Sequence, residues 1–261
     1  MSLVQGVGRA TLRGIEELGH IGLLLWESLE WLLLGPFRGQ PVRLSLVFEQ
    51  ARAVGLQAVP IVALLAFVIG MMLAIQGIET LKTFGAESQV VVGIALSVTR
   101  EFAPLITGIV VAGRSGSAIA AQIGTMQISQ EVDALQVIGI HPVRQLVAPV
   151  LFAMLVLLPC LTLLADLMGL LGGAVYSALE LGVSIPAYFD RTVEALAADD
   201  LFQGLIKSLV FALIIALVAA ANGFNVSGGA QGVGRATTRS VVQSITYIII
   251  ADMVFTWFLS R

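Results

Sequence analysis

Charged residues are scarce in this sequence of 261 amino acids. Only 12% of the residues are Asp, Glu, Lys or Arg, 57% are hydrophobic, and the mean hydropathy is +0.96. A soluble protein of this size needs far more charge to cover its surface, so the composition excludes a cytosolic enzyme and a disordered chain. The net charge of −3 also argues against a nucleic-acid partner, which would require a basic stripe. The sequence therefore predicts a polytopic membrane protein.

Cysteine and histidine are almost absent. Cys160 is the single cysteine, and His20 and His141 are the only histidines. One cysteine cannot form an intramolecular disulfide, and three such residues do not provide a structural zinc site. The phosphate-binding pattern GxxxxGK[ST] is missing as well. We therefore expect no catalytic residue, no metal site and no cofactor in this chain.

Long uncharged stretches predict an all-α protein with five transmembrane helices. A helix needs about 20 mostly apolar residues to cross about 30 Å of hydrocarbon. Five stretches meet this requirement, at residues 52–79, 88–113, 145–179, 208–222 and 240–260, and the fourth extends backwards through LFQGLIK. The third contains Gly169, Gly172 and Gly173, which would allow a neighbouring helix to approach closely.

The distribution of basic residues sets the expected orientation. With the N-terminus in the cytoplasm, that face receives nine Lys or Arg residues and the opposite face receives four, while Arg100 remains inside the membrane. The positive-inside rule therefore predicts a cytoplasmic N-terminus and a C-terminus on the opposite side of the membrane, which is the periplasm if the protein lies in a bacterial inner membrane.

The segment before the first span predicts an amphipathic helix. Over residues 15–34, acidic residues and His20 gather on one side and large apolar residues on the other, and Gly35 and Pro36 follow. We expect residues 1–37 to form a helix lying in the membrane interface, followed by a five-helix domain over residues 38–261. A helix that only packs against the bundle is the alternative.

Three charged residues fall inside the predicted spans. Arg100 and Asp252 each lie about 18 Å from one end of their spans, at about 1.5 Å per residue, and thus near the midplane. A charge in a bilayer is costly and far less so when it is paired. We expect Arg100 and Asp252 to approach each other in the bundle interior, with Glu101 on the neighbouring face. A structural ion pair or a snorkelling side chain is the alternative.

A cytoplasmic segment, residues 114–144, connects the second and third spans. It opens with a run of Gly, Ser and Ala, and ISQEVDALQVIGI then predicts a short amphipathic helix. Such a helix suits docking into a groove of a soluble partner, whereas a plain solvated connector is the alternative. The residues expected to dock are Glu131, Val132, Asp133, Ala134 and Leu135.

Two stretches carry a resemblance to a known family. They are LSVTREFAPLITGIVVAGRSGSAIAAQIGTMQISQEVDALQVIGIHPVRQLVAPV and NGFNVSGGAQGVGRATTRSVV. Both closely resemble the MlaE (YrbE) family of permease subunits, whose ABC transporters move phospholipid between the membranes of Gram-negative bacteria. The resemblance covers nearly the whole chain from about Arg38 onward, and the pattern AGRSGSAxxAxIGxMxxxxEVDAL is highly specific.

The resemblance implies a transport subunit without an ATPase of its own. It implies a homodimer in the bacterial inner membrane that maintains outer-membrane lipid asymmetry. ATP would be bound by a separate cytoplasmic ABC ATPase docked at residues 128–139. The other implied partners are a hexamer of MCE-domain subunits in the periplasm and a small STAS-domain subunit. Phospholipid would lie at the dimer interface, where Arg100, Glu101 and Asp252 match the family's intramembrane polar positions.

Two other classes of protein compete with this interpretation. A secondary transporter or channel could use Glu101 and Asp252 to relay protons, but it predicts inverted repeats. The only repeat found is the heptapeptide QGVGRAT, at residues 5–11 and 231–237, for which chance and a shared lipid-headgroup contact stay open. A membrane scaffold also stays open.

Overall fold

The computed structural model describes residues 3–35, 43–86 and 89–259, without the side chains of residues 3–11, 13, 44 and 259. Every regular element in these ranges is helical. The α-helices are α1 (Leu3–Leu34), α2 (Leu44–Ala51), α3 (Val59–Lys82), α4 (Val90–Ser97), α5 (Ala103–Val111), α6 (Ser117–Ile128), α7 (Glu131–Val137), α8 (Ala148–Leu181), α9 (Ile185–Ala195), α10 (Ala198–Phe224) and α11 (Gly229–Leu259).

Short π-helical turns join several of these helices into longer rods. They lie at Arg52–Leu56, Val98–Phe102, Ala112–Gly116 and Val143–Val147. Five of the resulting helical segments are long and apolar enough to cross a membrane, which confirms the all-α prediction with five spans. These segments are Ser45–Lys82, Val90–Ile128, Val143–Leu181, Ala198–Phe224 and Gly229–Phe258.

The second span is longer than predicted. It continues as helix through the Gly, Ser and Ala run to Ile128, so its predicted end at residue 113 is wrong. The physical reason is packing: the small residues let this rod lie against α10 and α11, and Ile119 and Ile123 become buried. The connection outside the long helices is therefore only residues 129–142.

The spans run in alternating directions and give the bundle two ends. The α7 end contains the short helix α7 and the start of α11, and the α9 end contains α9 and the start of α10. At the α9 end, Lys82 Nζ lies 3.0 Å from Glu180 Oε1. At the α7 end, Arg239 forms an ion pair with Glu17 of α1.

Helices α3 and α8 pack backbone to backbone. A Cβ atom at Gly172 would lie 2.0 Å from the carbonyl oxygen of Phe67, and one at Gly70 would lie 1.8 Å from that of Gly169. No side chain fits between the two helices at these points, so the predicted close approach at the glycine cluster is confirmed.

Helix α1 is longer than the predicted 15–34 helix and packs on the bundle along one stripe. Leu24 and Ser28 are buried, whereas Leu18, Trp26 and Leu33 are exposed. Helix α1 therefore packs against the bundle, as the alternative predicted. Its location in a membrane interface stays a prediction. The expected boundary between residues 37 and 38 lies outside the described residues, as do the side chains of the first QGVGRAT copy.

Helix α9 anchors the connection between the third and fourth spans. Ser184 caps its start by accepting a hydrogen bond from the backbone N–H of Ala187 at 3.4 Å. Tyr188 is fully buried between α4 and α8, and its hydroxyl has no hydrogen-bond partner among the described residues. Burial raises the pKa of Tyr188 above its usual value, because the charged phenolate would be desolvated.

Candidate functional site

Arg100 and Glu101 lie on the π-helical turn Val98–Phe102, between α4 and α5. Pro104, in the first turn of α5, has no N–H to donate to the preceding turn, so the regular hydrogen-bond ladder is interrupted here. The wider turn changes the directions in which its side chains leave the helix. Both charged side chains consequently contact α10.

Lys207 is the centre of a charge cluster. Its ammonium group lies 2.7 Å from Glu101 Oε2 and 3.0 Å from Asp252 Oδ1. The Lys207 side chain is 2% exposed, that of Asp252 14% and that of Glu101 35%. A buried ammonium group requires such partners, because an isolated charge in a low-dielectric interior is very costly. The cluster joins three membrane-length segments.

Thr256 completes the cluster through its hydroxyl group. The hydroxyl accepts a hydrogen bond from Lys207 Nζ at 3.0 Å, and it lies 2.9 Å from both Glu101 Oε1 and the backbone carbonyl oxygen of Asp252. One hydroxyl proton can serve only one of these two acceptors at a time. Thr256 therefore holds the Lys207 and Glu101 side chains in one arrangement from the α11 side.

Arg100 pairs with Asp200 in the first turn of α10. Its Nε donates to Asp200 Oδ1 at 2.7 Å, and Nη2 lies 2.5 Å from the same oxygen. Asp200 Oδ2 also accepts the backbone N–H of Ala197 at 2.9 Å, which fixes the carboxylate at the start of the helix. The Asp200 side chain is 4% exposed, whereas that of Arg100 is 44% exposed. The guanidinium group is thus held from one side and accessible from the other.

A glycine allows α10 to approach the π turn. Asp200, Gly204 and Lys207 lie on one face of α10, since they follow the helical spacing of four and three residues. A Cβ atom at Gly204 would lie 2.4 Å from the carbonyl oxygen of Thr99. The absence of a side chain at Gly204 therefore brings both ion pairs within reach.

The predicted pair between Arg100 and Asp252 is wrong. Arg100 contacts Asp200 near the α9 end rather than halfway along the bundle, and Asp252 contacts Lys207. Glu101, expected on the face next to that pair, contacts the same ammonium group as Asp252. The prediction failed because it did not consider Asp200 and Lys207, both of which are buried in α10.

Sequence reasoning missed Lys207, Asp200 and Thr256. A signal existed for Lys207, since it interrupts the apolar run LFQGLIKSLVFALIIALV. Asp200 stands directly before that run, where a carboxylate in the first turn of a helix is favourable. Nothing in the sequence distinguishes Thr256 from other threonines.

The predicted docking helix exists as α7, although it is shorter than residues 128–139. Glu131, Asp133 and Ala134 are exposed and Leu135 is half-buried. Val132, expected to be exposed, is 4% exposed because it packs inward at the α7 end. The exposed apolar surface comes instead from Val137 and Ile138, which are 87% and 68% exposed.

An open apolar face of α11 borders the charge cluster. The face continues from the cluster towards the middle of the helix and is not covered by any described part of the chain. Its large exposed residues are Ile249, Ile250, Met253, Val254 and Trp257. In the described residues, no group of three or more His, Cys, Asp or Glu side chains is placed to hold a metal ion.

Five apolar spans with a charge cluster held between them define a multi-pass membrane protein. Residues 47–258 match the family described as permease MlaE, and the chain belongs to this family. The family prediction is therefore confirmed. Members of the family are permeases of ABC transporters, so this chain is a transport subunit rather than an ATPase, and an ATPase partner is implied.

Three relatives illustrate the similarity. The chain is 34% identical over 256 residues to a probable ABC transporter permease protein of Rickettsia felis, covering 98% of this chain and 97% of that protein. It is 38% identical over 210 residues to TRIGALACTOSYLDIACYLGLYCEROL 1, chloroplastic, of Arabidopsis thaliana, covering 80% of this chain and 60% of that protein. It is 28% identical over 260 residues to the intermembrane phospholipid transport system permease protein MlaE of Haemophilus influenzae, covering 98% and 97%.

Proposed function

We propose that this permease moves phospholipid between the bacterial inner membrane and a periplasmic carrier, and so maintains the lipid asymmetry of the outer membrane. The observation that carries the proposal is the charge cluster around Lys207 beside the open apolar face of α11. A phospholipid has the same two parts, a charged headgroup and apolar chains. The similarity to the Haemophilus influenzae protein supports this substrate class.

Arg100 is the group best placed to bind the lipid phosphate. A guanidinium group carries five N–H donors, and only its Nε and one Nη contact Asp200. The remaining donors can bind phosphate oxygens on the accessible side, with a planar geometry that lysine lacks. Glu101 and Asp252 then hold Lys207 nearby, while the acyl chains lie along α11. A second copy of the chain would cover the open α11 face and close a lipid cavity at the dimer interface.

The proposed orientation places the α7 end in the cytoplasm and the α9 end in the periplasm. The ABC ATPase, which binds and hydrolyses the ATP, would dock on the exposed residues of α7. A hexamer of MCE-domain subunits would receive lipid at the α9 end, close to Arg100, and a small STAS-domain subunit would join the cytoplasmic assembly. The excess of basic residues at the α7 end supports this orientation.

A lipid-transfer assay tests the proposal. The chain is reconstituted with its partner subunits in proteoliposomes, and ATP-dependent transfer of a fluorescent phospholipid to the MCE-domain subunit is measured. Arg100→Lys should reduce transfer by about tenfold or more, since loss of one charge-assisted hydrogen bond costs about 1.5–3 kcal/mol. Lys82→Arg, at the same end of the bundle, is the control and should transfer normally. Unchanged transfer by Arg100→Lys would remove the phosphate role, and transfer that needs a proton gradient instead of ATP would favour a secondary transporter.

The docking helix has its own test. The double variant Glu131→Lys with Asp133→Lys should lose the ATPase during purification, because it reverses the charge of the exposed α7 surface. Glu194→Lys, an exposed charge reversal on α9, is the matched control and should retain the ATPase. Retention of the ATPase by the double variant would show that α7 is not the docking helix.

A further inference from the structure

A cavity of about 800 Å³ lies between α1 and the connection that contains α7. One wall is formed by α1, including Leu23, Glu27 and Trp31, and the opposite wall by α7 and residues 139–143. The charge cluster described above lies at the other end of the bundle and does not line this cavity. The cavity therefore belongs to a different part of the molecule from the proposed lipid site.

The residues lining this cavity favour a cation. Two carboxylates, those of Glu27 and Asp133, line it, and none of the described residues that line it is a Lys or Arg. The ring of Trp31 adds an aromatic wall, but its face already has the Arg144 guanidinium carbon 5.4 Å from the ring centroid, so the two carboxylates supply the attraction for a further cation. His20 also lines the cavity, and its Nε2 is buried without a hydrogen-bond partner among the described residues. Carboxylates attract ammonium and guanidinium groups through charge-assisted hydrogen bonds.

The cavity adjoins the surface that would carry the ATPase. Asp133 lines the cavity from α7, while Val137, at the end of the same helix, is 87% exposed. A subunit that covers the exposed side of α7 would thus lie beside the cavity opening.

We propose that this cavity receives an arginine or lysine side chain of the ATPase subunit that docks on α7. The inference rests on the proposed function, because it assumes that docking. The inserted cation would contact Glu27 of α1 and Asp133 of α7 together. A movement of the ATPase would then be transmitted to α1 as well as to the membrane-spanning helices.

A lipid headgroup is the less suitable occupant. The polar side of α1 is acidic, with Glu16, Glu17 and Glu27, and it would repel the anionic lipids of a cytoplasmic leaflet. The exposed apolar side chains of Trp26 and Leu33, which would enter a membrane interface, do not line the cavity, whereas that of Leu23 does. The opening is therefore better suited to a basic protein surface.

Photo-crosslinking identifies the occupant in the assembled complex. Benzoylphenylalanine is placed at Leu23, which lines the cavity and is 62% exposed, and separately at Val137, which lies outside it. We expect ATPase peptides from both positions. Crosslinks from Val137 alone, or a lipid adduct at Leu23, would overturn the cavity proposal and leave the docking proposal standing. No ATPase crosslink from either position would contradict the docking itself.

An affinity measurement tests the charge. Glu27→Gln keeps the shape of the side chain. It should raise the Kd for binding of the ATPase subunit to this chain by about tenfold or more and make that Kd less dependent on salt. Glu16→Gln is the matched control, since Glu16 is exposed on the same helix and does not line this cavity. Equal affinities for the two variants would overturn the proposal. A melting curve of each variant separates this result from loss of folding.

Discussion

Lys207→Met should destabilise this protein more than any other single charge removal at the cluster. The ammonium group is 2% exposed and holds two carboxylates, at 2.7 Å and 3.0 Å. Removing one partner of a buried ion pair costs about 3–5 kcal/mol, since the remaining charge stays buried. Because 35% of the Glu101 side chain is exposed, water compensates part of this loss. We therefore expect Lys207→Met to lower the free energy of unfolding by about 3 kcal/mol.

Neutralising the whole cluster separates stability from transport. In the triple variant Lys207→Met, Glu101→Gln and Asp252→Asn, no buried charge is left alone, and replacing an entire buried ion pair is often neutral. The triple variant should therefore recover most of the thermal stability in detergent. Lipid transfer should stay lost, because the charge cluster proposed to lie beside the lipid headgroup is neutralised.

The control for this series is Lys82→Met. Lys82 also pairs with a glutamate at the α9 end, but the two side chains are 55% and 43% exposed. The free energy of unfolding of Lys82→Met should therefore change by no more than about 1 kcal/mol. A normal melting temperature for Lys207→Met would refute the burial argument. Recovery of both stability and transfer in the triple variant would show that the cluster is only structural.

Three further substitutions test single contacts by thermal unfolding. Gly204→Ala should lower the free energy of unfolding by about 1–3 kcal/mol, because the new Cβ would lie 2.4 Å from a backbone oxygen. Gly234→Ala is the control: its Cβ would meet open space, so this variant should be as stable as the original protein or more stable. Thr256→Val should lower the free energy of unfolding by about 1 kcal/mol more than Thr246→Val. Both hydroxyls lie within hydrogen-bond distance of the carbonyl oxygen four residues earlier, but only the Thr256 hydroxyl also accepts a hydrogen bond from Lys207. Tyr188→Phe should retain or raise stability, because it removes a buried hydroxyl that has no hydrogen-bond partner in the described part of the chain, and a loss of stability would contradict this.

Membrane spans follow from local composition, which is why the sequence predicted them well. A bilayer requires about 20 apolar residues in a row, whatever the neighbouring helices do. The small residues at Gly169 and Gly172 were informative for the same reason, because close packing needs them at that position. The motif over residues 112–135 identified the family before any contact was known.

Other features depended on neighbours distant in the chain. Whether residues 117–128 form a loop or a helix depends on burial against α10 and α11, and whether Val132 is exposed depends on the α7 end of the bundle. Composition alone does not contain this information, since Gly, Ser and Ala occur in loops and in tightly packed helices alike.

The sequence by itself determined the all-α class, the five spans, the family and the presence of charges inside the bundle. Only the tertiary structure decided which charges meet. Arg100 pairs with a residue 100 positions away and Lys207 with one 106 positions away. These pairings follow from the rotation and register of each helix, which are set by side-chain packing and by the close approach at Gly204 rather than by the periodicity of any one span.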